Sequence, residues 1–270
     1  MISFPNAKIN LGLHITSKRP DGYHELESIF YPVQWTDALE LIEGGANRFD
    51  MSFSGLSVPG NIESNLCYKA WQLLKSDFTL PNLKAHLHKV IPMGAGLGGG
   101  SSDAAFMLKM INETCNLKIS NKQLQQYAVQ LGSDCPFFIE NKPMIASGRG
   151  EILNEVNIDL KNWHIAIVMP PISIGTAEAY SWITPSLPTN DLRTTINLPI
   201  INWEGILIND FEEVVCNHHP KIAEIKQKLY DNGAVYSSMS GSGAAVYGIF
   251  NSLPDLKEFD SQINIFISGL

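Results

Sequence analysis

Five of the seven residues from Gly94 to Gly100 are glycine, and the run continues into Ser101, Ser102 and Asp103. Glycines placed this way let the backbone come close to a ligand and turn successive N–H groups toward one point. Ahead of the run, Leu83, Ala85 and Leu87 alternate with Lys84, His86 and His88, the period of a strand, which is expected to continue through Val90-Ile91 to Pro92. Behind it, Ala104, Ala105, Met107, Leu108 and Ile111 recur at helical spacing. The unit is therefore strand, glycine loop and helix N-terminus, and the helix start adds roughly half a positive charge. A phosphate is the natural occupant of such a loop.

Three phosphate motifs have to be separated. A Walker loop ends in Gly-Lys-Ser/Thr, whereas Gly100 is followed directly by Ser101. The dinucleotide pattern GxGxxG is formally present at Gly94, Gly96 and Gly99, but it also needs a second strand ending in an acid about 20 residues on. Here Asn116-Leu117-Lys118 leads into another helix. It starts at Ser120 with a Gln123 capping box, carries Leu124, Tyr127, Ala128 and Leu131, and stops at Gly132. Protein kinases pair their glycine loop with His-Arg-Asp and Asp-Phe-Gly segments, and this sequence has neither.

From Ala7 to His14 the chain alternates strictly, which predicts a half-buried strand with Lys8 and Asn10 side by side on its polar face. Arg19-Pro20-Asp21-Gly22 reads as a turn that presents Tyr23 and His24. The polar stretch Gly148–Asn162 reads as the crossing into a second domain. Beyond it come a strand over His164–Met169, a helix from Thr176, a polar loop Ser186–Pro199, a helix near Phe211 and a helix over Lys221–Leu229. The strands Val235–Met239 and Val246–Phe250 then flank the small-residue loop Ser240-Gly241-Ser242-Gly243-Ala244-Ala245. His86 and His88 share a strand face without a third candidate ligand, so a surface strand is the simpler reading than a metal site.

Apolar residues at 44% and charged residues at 17% describe a globular chain. A net charge of −8 argues against broad nucleic-acid binding, which needs a basic surface. Cys67, Cys115, Cys135 and Cys216 form no CxxC pair and no zinc-finger spacing, so reduced thiols are expected. No stretch approaches the ~18 apolar residues of a membrane helix. A cytoplasmic protein without membrane partners is expected.

The loop Pro-x-Gly-x-Gly-Leu-Gly-Gly-Gly-Ser-Ser resembles the second motif of the GHMP kinases. Pro5-Asn6-Ala7-Lys8-Ile9-Asn10-Leu11 is similar to that family's first motif, and Ser240-Gly241-Ser242-Gly243-Ala244 to its third. Further segments resemble one subgroup: Lys18-Arg19-Pro20-Asp21-Gly22-Tyr23-His24, Leu131-Gly132-Ser133-Asp134-Cys135-Pro136, Gly148-Arg149-Gly150-Glu151 and Asn209-Asp210-Phe211-Glu212. That subgroup phosphorylates the 2-hydroxyl of a cytidine-diphosphate-linked methylerythritol in the non-mevalonate isoprenoid route.

The resemblance implies an α+β, two-domain GHMP kinase fold with the active site in the inter-domain cleft. An ATP-binding domain over residues 1–155 and a C-terminal domain over 156–270 are expected. It implies ATP and Mg²⁺ as cofactors, a small-molecule substrate and a monomer or weak homodimer. It casts Asp134 as catalytic base and Lys8 as the ammonium beside the acceptor hydroxyl, the two paired with each other. Nucleotide contacts are expected from Asn65 and from Pro92, Met93, Gly94, Ala95, Gly96, Leu97, Gly98, Gly99, Gly100, Ser101 and Ser102. Acceptor contacts are expected from Asn10, Tyr23, His24, Thr176, Tyr180, Gly241, Ser242 and Gly243, with the two tyrosines stacking on the base and His24 reading its edge. Asp103, a carboxylate near a phosphate, reads as a helix-start residue stabilised by the dipole, its side chain turned from the ligand. A mevalonate-type GHMP kinase would keep the three motifs without Asp-Gly-Tyr-His, and a non-catalytic sugar-binding relative would be expected to lose Lys8 or Asp134.

Overall fold

The computed structural model describes residues 1–260 and 263–270. Twelve strands and eight helices are seen in these residues. In chain order the strands are β1 (Ile2–Ser3), β2 (Asn6–Lys18), β3 (His24–Thr36), β4 (Ala38–Glu43), β5 (Phe49–Gly55), β6 (Leu83–Lys89), β7 (Met144–Gly148), β8 (Ile152–Glu155), β9 (His164–Met169), β10 (Tyr236–Met239), β11 (Val246–Phe250) and β12 (Asn264–Gly269). The helices are α1 (Leu66–Asp77), α2 (Gly99–Thr114), α3 (Asn121–Leu131), α4 (Phe137–Glu140), α5 (Thr176–Trp182), α6 (Leu192–Thr195), α7 (Asp210–His218) and α8 (Pro220–Asp231). The chain forms two compact units, each discontinuous in sequence. Unit one holds residues 1–7, 35–93 and 98–142; unit two holds 8–34, 94–97 and 143–270.

Unit one is a four-stranded sheet, order β1-β4-β6-β5, with β5 parallel and β4 antiparallel to β6. On β6 the expected alternation holds: Leu83, Ala85 and Leu87 are buried, while the histidines face outward, where the Ser54 hydroxyl lies 2.8 Å from a His86 nitrogen and 2.9 Å from one of His88. No group of three or more metal-ligating side chains forms among the described residues. The strand ends at Lys89, two residues short of the expectation, because the Val90 and Ile91 amides donate to the Asp37 carboxylate at 2.5 and 2.8 Å and so leave the ladder. Helices α2 and α3 follow as read, with Ser120 and Gln123 forming the capping box. Helix α2 is buried along most of its length and packs on α1, α3, α4 and β4.

Unit two has two sheets, ordered β2-β3-β7-β8 and β10-β11-β9-β12. Its apolar core joins Leu13 and Ile15 of β2 to Val168, Phe211, Val215, Ile222, Leu229, Val246 and Phe250. Three expectations are corrected here. Strand β2 is buried on both faces, because Ser28 and Ser240 cover Asn10, Leu192 and Leu207 close on Gly12, and Asp210 meets His14. The stretch after Gly148 first returns as a hairpin, β7 to β8, before the chain enters β9. The loop 186–199 contains the short helix α6, capped by the Asp191 carboxylate. A closing strand, β12, was not anticipated; it pairs along the full length of β9.

Candidate active site

Within unit two, strand β2 from Lys8, the loop residues Gly94–Leu97 and the third-motif loop converge. Lys8 and Asn10 stand two residues apart on one face of β2, and the Lys8 ammonium donates to Asn10 Oδ1 at 2.6 Å. The Asn10 amide donates to the Ser28 hydroxyl at 2.8 Å, and that hydroxyl donates to the Gly12 carbonyl at 2.6 Å. Tyr247 donates its phenolic proton to the Asn10 carbonyl at 2.8 Å. The ammonium also lies 4.8 Å from the centre of the Phe30 ring. Lys8 is only 3% exposed, and a cation buried this far is held in place by specific partners.

The start of the glycine loop is tied to the same strand, since the Lys8 amide donates to the Leu97 carbonyl at 2.9 Å. The third-motif loop seals it from the other side. Ser240 Oγ donates to the Gly96 carbonyl at 2.9 Å, and the Ala245 amide to that of Ala95 at 3.2 Å. Gly96 has a φ of +74°, and a Cβ there would sit 2.0 Å from the Ser240 carbonyl oxygen, so both conformation and space demand glycine. Asn209 holds the third-motif loop itself: its amide donates to the carbonyls of Met239 and Gly241, both at 2.8 Å, and its oxygen caps α7. Gly241 and Gly243 are buried and Ser242 is half-buried.

The acceptor-side aromatics also lie in unit two. His24 stacks on Tyr180 with ring centroids 4.7 Å apart, and Tyr180 meets Phe211 edge-on at 4.9 Å. Burial, helped by the Lys18 charge, lowers the His24 pKa and favours the neutral ring. Tyr23 is exposed, with the Arg149 guanidinium 4.9 Å from its ring centre. Of the three rings expected to act separately, His24 and Tyr180 thus pair with each other, while Tyr23 pairs with a guanidinium. Thr176 is the exposed first residue of α5.

Unit one carries the first turn of α2. A Cβ added at Gly100 would meet nothing within 4 Å, so no protein atom requires glycine there, and space remains for a ligand over the turn. Ser102 Oγ is buried without a hydrogen-bond partner. An open backbone cradle at a helix N-terminus fits a phosphate. Met93 is exposed and Pro92 half-buried at the entry to the loop. Asp134 sits in the tight turn after α3, where the Cys135 amide donates to the Gly132 carbonyl at 3.2 Å. This turn lies against α2: a Cβ at Gly132 would be 4.0 Å from Ser101 Oγ. Burial pushes the Cys135 thiol up to about 12, with the Ser101 hydrogen bond pulling the other way. Asn65 caps α1, its oxygen accepting the Cys67 amide at 2.8 Å.

Asp103 departs from its sequence reading as a dipole-stabilised helix-start residue. It is buried and accepts from the Lys89 ammonium at 2.7 Å, and Lys89 also pairs with the buried Asp37. Burial is the largest effect on Asp103 and raises its carboxyl to about 7, Lys89 opposing and Asp37 adding to it. The sequence reading assigned no part to Ser28, Asp37, Lys89 or Asn209. For Lys89 a signal was present: it continues the odd-numbered buried series of β6. Asn209 opens the segment Asn209-Asp210-Phe211-Glu212 already noted for its resemblance, whereas Ser28 and Asp37 are single polar residues in ordinary surroundings.

Comparison with known proteins agrees with this arrangement. Residues 65–142 match the family model of the GHMP kinases N terminal domain, and residues 197–267 that of the GHMP kinases C terminal. The chain is 50% identical to a 4-diphosphocytidyl-2-C-methyl-D-erythritol kinase of Bacteroides thetaiotaomicron, covering 98% of each chain. It is 50% identical to the protein of that name from Azobacteroides pseudotrichonymphae, over 99% of this chain and 100% of the other. A crystal structure of a 4-(cytidine 5'-diphospho)-2C-methyl-D-erythritol kinase superposes with a TM-score of 0.79 at 29% identity, covering 92% of this chain and 89% of the other. The Methanococcus jannaschii mevalonate kinase, at 14% identity and a TM-score of 0.73 over 100% and 98% of the two chains, shares the fold. With both family models matched in order and half of all residues shared with full-length relatives, this chain belongs to the GHMP kinases.

Proposed function

We propose that the chain transfers the γ-phosphoryl group of ATP to the 2-hydroxyl of 4-diphosphocytidyl-2-C-methyl-D-erythritol, a step in making isoprenoid precursors by the non-mevalonate route. The observation that carries this reading is full-length similarity, at 47–50% identity, to kinases named for that substrate. The Asp21-Gly22-Tyr23-His24 segment and the His24–Tyr180 stack, suited to a nucleobase, favour it over a mevalonate-type acceptor.

Phosphoryl transfer asks for positioning and charge compensation rather than covalent chemistry. The loop from Pro92 to Ser102 cradles the phosphates, its amide donors beginning at Met93, with Asn65 on the adenosine side. Mg²⁺, when bound, would supply charge neutralisation, and Ser101 and Ser102 are the hydroxyl-bearing residues of the loop that would serve the phosphates or that cation. Asp134 takes the proton of the acceptor hydroxyl and Lys8, held by Asn10, stabilises the resulting alkoxide. Tyr23, His24, Thr176, Tyr180 and the Gly241-Ser242-Gly243 loop receive the acceptor. A functional division into residues 1–155, carrying ATP, and 156–270 belongs to the same proposal, as does a cytoplasmic monomer or weak homodimer.

The test is a coupled assay of ATP consumption with three acceptors: the cytidine-diphosphate polyol, mevalonate and homoserine. Turnover is expected with the first. Turnover with mevalonate alone would overturn the substrate assignment.

A further inference from the structure

The two ends of the phosphate loop in unit one are tied to one buried ion cluster. At the entry, Asp37 Oδ1 accepts the amides of Val90 and Ile91 at 2.5 and 2.8 Å. At the exit, Asp103 Oδ2, one residue past the first turn of α2, accepts from Lys89 Nζ at 2.7 Å. Lys89 joins the two by donating to Asp37 Oδ2 as well. All three side chains are buried. The ammonium sits directly under the turn, since a Cβ on Gly99 would be 3.0 Å from Nζ. A plain core would place apolar groups here, because a buried ammonium between two carboxylates carries a heavy desolvation penalty. The cluster does what an apolar core does not: it sets the distance and angle between strand end and helix start through directional bonds.

We propose that Lys89 and Asp103 are positioning residues for ATP, holding the amides of Gly99 to Ser102 in the register that receives its phosphates. The inference rests on the kinase reading above. Neither residue touches the nucleotide; each acts through the backbone of the loop and the first turn of α2.

The test is steady-state kinetics of the full chain with both substrates varied. Asp103→Leu breaks the tie and is expected to raise the ATP KM about tenfold or more, a typical effect of misplacing a binding group, while the acceptor KM stays within about twofold. Asp103→Asn, whose oxygen still accepts from Lys89, is expected to bring the ATP KM back to within about threefold of the wild type. A purely structural role would instead move the melting temperature and leave the ATP KM of the folded fraction untouched. An unchanged ATP KM in Asp103→Leu overturns the proposal, as does an Asp103→Asn variant as impaired as the leucine. Should Asp103→Leu fail to fold, the Lys89→Met/Asp103→Leu double variant removes opposite charges together and is read the same way. Wild-type chain that turns over no ATP with any acceptor overturns the kinase reading itself, which a normal wild type with an unaffected variant does not.

Discussion

Asn10 accepts from the Lys8 ammonium at 2.6 Å with its side-chain oxygen and donates to Ser28 with its nitrogen, so one amide links the buried cation of β2 to a hydroxyl of β3. Replacing Asn10 by Ala removes one hydrogen-bond partner from the buried ammonium and one from the Ser28 hydroxyl, which keeps its bond to the Gly12 carbonyl. We expect stability to fall by about 1–3 kcal/mol, as for buried groups left short of a partner, and kcat to fall by about tenfold or more through misplacement. Urea unfolding and turnover measured on one preparation check both. An Asn10→Ala protein with wild-type kcat would remove Asn10 from the acceptor site.

Asp134 lies in a half-buried turn beside Ser101. Asp134→Ala is expected to lower kcat by roughly 10²–10⁴, the usual worth of a positioned base, read on the folded protein at saturating substrates. Near-normal turnover would refute its role as base.

Two glycines of one loop should answer substitution in opposite ways. Gly96→Ala drives a Cβ to 2.0 Å from the Ser240 carbonyl oxygen at a φ of +74°. A loss of roughly 3–5 kcal/mol is expected from strain and overlap together. Gly100→Ala meets no protein atom and replaces a poor helix former by a good one, so the melting temperature should hold or rise. Its methyl group fills the space over the turn, and the ATP KM should rise about tenfold, equivalent to about 1.4 kcal/mol of lost binding. An ATP KM unchanged in Gly100→Ala would mean the phosphates sit elsewhere.

All four thiols are pushed above the ordinary cysteine range by burial, Cys135 to about 12 and Cys216 to about 11. The thiolate is the reactive form, so at pH 8 alkylation of Cys135 in the native protein should be about 10³-fold slower than that of a free thiol. Mass spectrometry after a timed iodoacetamide pulse reads this directly. Rapid labelling of Cys135 would show that the turn carrying Asp134 opens readily.

The local structure around the candidate site was legible because its causes are local. Five glycines before a helical pattern specify a tight loop leading into a helix N-terminus, and the Ser120–Gln123 pair specifies a helix start within four residues. Less legible was what happens when polar groups leave their own element. Val90 and Ile91 have strand-forming side chains, yet a carboxylate more than fifty residues earlier takes their amides and ends the strand.

The sequence by itself determined the order and type of the main elements, which rest on periodicity, glycine spacing and side-chain chemistry read along the chain, and it pointed to the family through the likeness of three motifs to those of the GHMP kinases. Only the tertiary structure decided that the polar face of β2 is buried, that Asn209 grips the third-motif loop, and that Lys89 pairs with Asp103 beneath the first turn of α2. The physical reason is one of distance. A hydrogen bond between residues 14 or 230 positions apart depends on where the packed core carries each backbone, and no local pattern records that.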